Sequence, residues 1–145
     1  MNKKFIGLSF AVLFSVVCSH VYASGGFDAK SWESVDVAKY NKIIISAHDN
    51  KREWVTKPEF YVHYLLGLNE TKEILYSIEA NRMEMPTEFT IKLKRKGLLD
   101  DSVSGDIHVL VMKKTGKGYW KVVSGKRASS CWRSKSKGFQ SKPCP

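Results

Sequence analysis

The chain has 145 residues, 43% of them apolar and 26% charged, and a formal net charge of +10 at pH 7. That composition excludes a fibrous or wholly disordered chain and suffices for one hydrophobic core. The cationic excess directs attention to anionic partners rather than cationic ones.

Lys3 and Lys4 precede an apolar run, Phe5 to Val17, broken only by Gly7, Ser9 and Ser15, and Val21-Tyr22-Ala23 places small or modest residues at a cleavage site. This is the layout of a secretory signal peptide, and the run is too short for a membrane span. Cleavage is expected after Ala23, leaving one periplasmic or secreted domain over residues 24–145 with no transmembrane segment. Val17 before Cys18 does not suit a lipobox, so acylation there is not expected.

Ser34 or Asp36 suits a helix N-cap, because either side chain accepts from free N–H groups of a first turn. Val37, Tyr40, Ile44 and Ala47 then recur at steps of three and four, one apolar stripe of an amphipathic helix, and Asn50 suits its end. After Pro58 the pattern changes to period two. Alternation over residues 60–66, 74–78, 89–93, 107–111 and 119–123 predicts five strands. Turn residues separate them at Asn69-Glu70, Met85-Pro86, Gly97 to Gly105 and Thr115 to Gly118. A helix followed by about five sequential antiparallel strands is an α+β fold. The simplest arrangement, a curved sheet packed on the helix, resembles cystatin-like and NTF2-like domains, a likeness that carries no function.

Charge is unevenly placed. Residues 24–91 are net −3 and residues 92–145 net +11, and the stretch from Lys113 to Pro145 holds ten Lys or Arg and no Asp or Glu. Cys131 and Cys144 fall in this stretch. An oxidising compartment favours their pairing as a structural cross-link, and no C-x-x-C spacing suggests redox catalysis. Lys121, Lys126, Arg127, Arg133, Lys135 and Lys137 are the candidate binding residues. Tyr119, Trp120, Trp132 and Phe139 are interleaved with them, an arrangement that suits stacking on rings beside anionic groups or, alternatively, packing of Trp120 and Trp132 into the core.

The acidic turn Asp100-Asp101-Ser102-Val103-Ser104-Gly105-Asp106 lacks calcium-loop spacing and is expected to bond its own backbone. His63 and His108, expected on strands, offer an acid–base set with Asp106, Glu79 or Tyr61 only if the fold brings them into one cleft. No phosphate loop, dinucleotide fingerprint, zinc motif or nucleophile elbow occurs, and no cofactor or metal is expected.

The ending Ser124-Gly125-Lys126-Arg127, Cys131-Trp132-Arg133, Gly138-Phe139 and Pro143-Cys144-Pro145 resembles that of small exported bacterial proteins of unassigned function. So do the Asp100-to-Val103 turn and the Trp120-to-Val122 strand, with a looser echo at Glu53-Trp54 and Pro58. Where that group often has Arg-Gly-His, this chain has Ser136-Lys137-Gly138, so no histidine role carries over. The resemblance implies export, one domain and the disulfide.

Three functional classes follow. The first is an exported binding module whose cationic end meets an acidic protein, an acidic glycan or an anionic lipid surface, with nucleic acid ranked below them. The second is a periplasmic inhibitor or immunity-type protein. The third is an enzyme with a cleft histidine and carboxylate.

Overall fold

The computed structural model describes residues 26–68, 71–135 and 137–145. The expected signal peptide and the turn at Asn69-Glu70 lie outside the described residues. The elements are β1 (Glu33–Ser34), α1 (Val37–Asp49), a 3₁₀ turn (Glu53–Thr56), α2 (Pro58–Tyr61) continuing into a π turn (Val62–Leu66), β2 (Glu73–Ala80), β3 (Glu88–Lys96), β4 (Val103–Lys114) and β5 (Trp120–Cys131). The strands form one antiparallel sheet in the order β1-β5-β4-β3-β2. The α+β fold class with a five-stranded antiparallel sheet therefore stands.

α1 forms where its apolar stripe places it. Asp36 Oδ1 accepts from the Ala38 N–H at 2.9 Å and caps the first turn. The Asn50 N–H and its side-chain amide both reach Ser46 O and close the last turn. Ile44 is fully buried, and Val37, Tyr40 and Ala47 pack around it against the sheet.

One expected strand is a helix. Residues 60–66 read as period two, but they wind as the end of α2 and the π turn. Pro58 is the cause: its fixed φ suits a first helical position, and its missing N–H is one a helix start leaves unpaired anyway. The buried set agrees with winding. Tyr61 and Val62 are buried and Leu65 and Leu66 partly so, which is one face of a helix, while Phe60 and Tyr64 are exposed. His63 is accordingly on a helical turn and exposed. The fifth strand comes instead from residues 33–34, a short edge partner for β5.

The sheet has two unlike faces. On the helix face, Ile91 and Leu93 of β3, Leu110 and Met112 of β4, and Trp120 and Val122 of β5 join Ile44, Trp54, Val55, Tyr61 and Val62 in the main core. Successive residues alternate, so Thr90, Lys92, Lys94 and Lys96 project from the other face. The N-terminal segment reaches that second face. Lys94 Nζ donates to Gly26 O at 2.7 Å, Lys92 Nζ lies 6.0 Å from the Phe27 ring centre, and Lys126 Nζ lies 4.3 Å from that of Trp32.

β5 runs to Cys131, well past its expected end, with an irregularity between Val111 and Met112 of its partner. Its outer edge is satisfied step by step. The Tyr61 hydroxyl bonds the Trp120 N–H and C=O, and the Asn41 amide bonds both backbone groups of Val122 at 2.9 Å. The Val35 N–H reaches Gly125 O, β1 covers residues 126–127, and Gln140 bridges Ser129. An exposed edge is a template for unwanted pairing, and here it is closed with single side chains and two short segments. Burial pushes the Tyr61 hydroxyl well above its ordinary pKa, so it serves this edge as a neutral donor and acceptor.

Candidate functional site

The C-terminal segment is attached to the sheet. Cys131, the last residue of β5, is disulfide-bonded to Cys144. Between them, the Gln140 N–H and C=O pair with Ser129 at 2.9 and 2.8 Å. The Lys30 N–H donates to Phe139 O at 2.8 Å, and the Ser141 N–H donates to Ser31 Oγ at 2.9 Å. The Trp132 N–H donates to Ser102 O at 3.0 Å, and its indole Nε1–H donates to Asp100 O at 2.9 Å. Asp100 in turn accepts from the Ser102 and Val103 N–H groups, the local turn bonding expected of it. These backbone bonds hold its carboxyl below its ordinary pKa.

The six candidate cations do not form one patch. Lys126 and Arg127 are neighbours on β5 and so point to opposite faces. Lys126 covers the Trp32 ring, whereas Arg127 Nε meets Glu33 Oε2 at 3.0 Å. Lys121 is opposite Lys113 at the far end of the same strand. Arg133, Lys135 and Lys137 are exposed and belong to the disulfide-closed loop. Among the described residues, Arg127 alone of the six has a carboxylate within ion-pair distance.

A cleft of about 360 Å³ opens between this loop and the ends of β3, β4 and β5. Trp132, Phe139, Cys131, Gly97 and Gly138 give it ring and backbone surface, and Lys96, Lys137, Ser104 and Ser130 give it polar groups. The Ser104 and Ser130 hydroxyls are 2.9 Å apart. Lys96 Nζ is 3.1 Å from Glu73 Oε1, and Lys94 Nζ lies 5.3 Å from the Phe139 ring centre. Gly138 has φ +107, a conformation closed to side chains with a Cβ, where the loop brings Phe139 onto the sheet. Trp120 is in the core and Trp132 is 54% exposed, so the two indoles expected to share a role are divided between packing and surface.

A second polar cluster lies on the helix face. Arg95, 6% exposed, meets Asp106 with Nε–Oδ1 at 2.8 Å and Nη2–Oδ2 at 2.5 Å, and its Nη1 donates to Leu66 O and Gly67 O at 3.1 Å. His108 Nε2 is 3.2 Å from Asp106 Oδ2. Burial by itself would raise the Asp106 carboxyl, but hydrogen bonds from His108 and Arg95, and their charges, outweigh it and hold it at about 2. A cleft of about 420 Å³ reaches Arg95 and Asp106, with Arg127 and Ser129 on its wall. The histidine–carboxylate contact imagined from sequence thus exists for His108 and Asp106, whereas His63 is elsewhere. The contact joins β4 to Arg95 of β3. Asp106 is occupied by three donors and stays ionised, and His108 Nδ1 is buried without a partner among the described residues. A saturated carboxylate of such low pKa is a poor base near neutrality.

Arg95 was missed because a charged residue in a strand is ordinarily assigned outward. The signal was there: Arg95 continues the Phe89, Ile91, Leu93 phase, and Asp106 continues the Leu110, His108 phase of the next strand. Opposite charges in the apolar phase of two adjacent strands mark a buried pair.

Among the described residues, no helix is long and apolar enough to cross a membrane. Comparison of the chain with protein-family models, curated proteins and solved structures finds no match.

Proposed function

We propose that this protein is an exported binding module whose disulfide-closed, cationic end holds an acidic partner. The observation that carries this reading is the state of Arg133, Lys135 and Lys137. They are exposed, none has a carboxylate partner among the described residues, and they belong to a loop anchored at Cys131, Phe139, Gln140 and Ser141. Anchoring the loop backbone keeps these cations close together, so less chain freedom is lost when an anion binds than on a free arm. The disulfide fits an oxidising compartment, as does the leader-like N-terminus. Lys126 and Arg127 are already engaged by Trp32 and Glu33, so they contribute less than the loop cations.

The test compares two variants. Reversing Arg133, Lys135 and Lys137 to Glu keeps the loop anchored and changes its sign. Replacing Cys131 and Cys144 with Ser keeps the charge and frees the loop. Binding to an immobilised anionic matrix is expected to be lost in the first and weakened in the second, and wild-type binding is expected to fall steeply with salt. Retention unchanged by charge reversal removes this reading.

A further inference from the structure

Resting on the reading of the loop as the binding end, we infer that the cleft between the disulfide loop and the ends of β3, β4 and β5 is a site for one acidic sugar residue of a glycan. Its volume, about 360 Å³, lies at the small end of ligand clefts, which run from roughly 300 to 1,000 Å³. That is room for one or two rings, not for a folded partner. Its chemistry is mixed in a particular way. Trp132 and Phe139 offer aromatic surface, which suits the C–H faces of a pyranose ring. Trp132 is half-exposed, yet its indole N–H is tied to Asp100 O and its backbone N–H to Ser102 O, so the ring is set before any ligand arrives. Ser104 and Ser130 place two hydroxyls side by side, able to exchange their mutual bond for bonds to sugar hydroxyls.

The charge is supplied by Lys137, exposed and without a carboxylate partner among the described residues, and is reinforced by Lys96 across the cleft. Lys96 already faces Glu73, so Lys137 carries the discrimination for a carboxylate or sulfate. Its neighbours would not suit a nucleic acid strand as well. A strand needs a cationic groove that meets successive phosphates, whereas the lysines leading to the cleft along β3 are already engaged, Lys92 by Glu79, Lys94 by Gly26 O and Lys96 by Glu73. One ring, one anion and two hydroxyls describe a uronic or sulfated sugar. Opening the disulfide dismantles this site, because Cys131 lines the cleft and precedes Trp132.

The experiment measures binding of a short sulfated uronic-acid oligosaccharide, an uncharged oligosaccharide of equal length and a single-stranded DNA of matched charge. The wild type is expected to prefer the sulfated glycan to both others. Trp132→Ala and Lys137→Glu should each weaken glycan binding by about tenfold or more, as loss of a ring platform or reversal of the main charge contact does. Trp132→Phe keeps a ring and should retain most of the binding, and Lys117→Glu, on the β4–β5 hairpin, should bind as wild type. Melting temperatures of all variants separate lost binding from lost folding, and exposed Lys137→Glu supplies the result if Trp132→Ala unfolds. Equal or tighter binding of the DNA overturns the sugar assignment. Loss of glycan binding on reversing Arg133, Lys135 and Lys137 together, with Trp132→Ala and Lys137→Glu unaffected, overturns this cleft while the binding-end reading survives. Full glycan binding by the triple reversal overturns both.

Discussion

Arg95 and Asp106 are the pair on which the helix-face end of the sheet depends. Arg95 links β3 to β4 through Asp106 and to the corner after the π turn through Leu66 and Gly67. Removing one member leaves the other charge buried, so Asp106→Asn should destabilise by roughly 3–5 kcal/mol, and a double replacement of Arg95 and Asp106 by leucine should cost less than that single change. Chemical denaturation of the three proteins checks this. The pair also sets an acid dependence. The folded-state pKa of Asp106, about 2, lies below its unfolded value of roughly 3.9, so its contribution is complete above about pH 4 and is lost as pH falls toward 2. Wild-type stability should decline through that window, and the Asp106→Asn protein should decline less steeply there.

β3 and β5 each carry a prediction of their own. Ile91 and Lys92 are adjacent on β3 but face opposite ways: Ile91 is fully buried, and Lys92 Nζ meets Glu79 at 2.7 Å on the second face. Ile91→Asp should cost several kcal/mol, as an unpaired buried charge does, and Lys92→Asp about 1 kcal/mol through a lost and reversed partly exposed ion pair. Equal melting losses would contradict the register. On β5, the Asn41 side chain takes both backbone groups of Val122. Asn41→Leu removes that cap, and a loss of roughly 1–3 kcal/mol is expected, with faster amide exchange at Val122 and little change at Leu93.

For the molecule as a whole, the disulfide and the edge bonds of the tail divide the work of holding residues 132–145. Cys131 and Cys144 are 13 residues apart, so the cross-link contributes roughly 3 kcal/mol in the chain-entropy view. The Gln140 and Ser141 bonds tie the same segment to Ser129 and Ser31, away from the main core. Reduction should therefore lower the melting temperature while leaving the main core folded, with far-ultraviolet circular dichroism unchanged at room temperature. Global unfolding on reduction would show instead that the tail is required by the core. Ile107 and Ala128 bear on this, since both are fully buried yet stand apart from the main core, on the face where the N-terminal segment and Phe139 lie.

Much of this was legible in the chain. Period-two alternation located β2 to β5, a cap at Ser34 or Asp36 and the Val37, Tyr40, Ile44, Ala47 stripe located α1, and the absence of acidic residues after Asp106 marked the cationic end, because each is a local pattern that needs no knowledge of neighbours. What tertiary structure decided was which neighbour each face meets. Residues 60–66 satisfy a strand pattern and a helical one, and a helix start at Pro58 together with burial of Tyr61 beneath Trp54 and against β5 chose the second. Arg95 looks like a surface cation until Asp106 is placed opposite it. Lys126 and Arg127 look like one patch until β5 extends through them and turns them to opposite faces. Composition sets how much charge a segment carries; only the pairing of strands and the anchoring of the tail determine which of those charges remain free to meet another molecule.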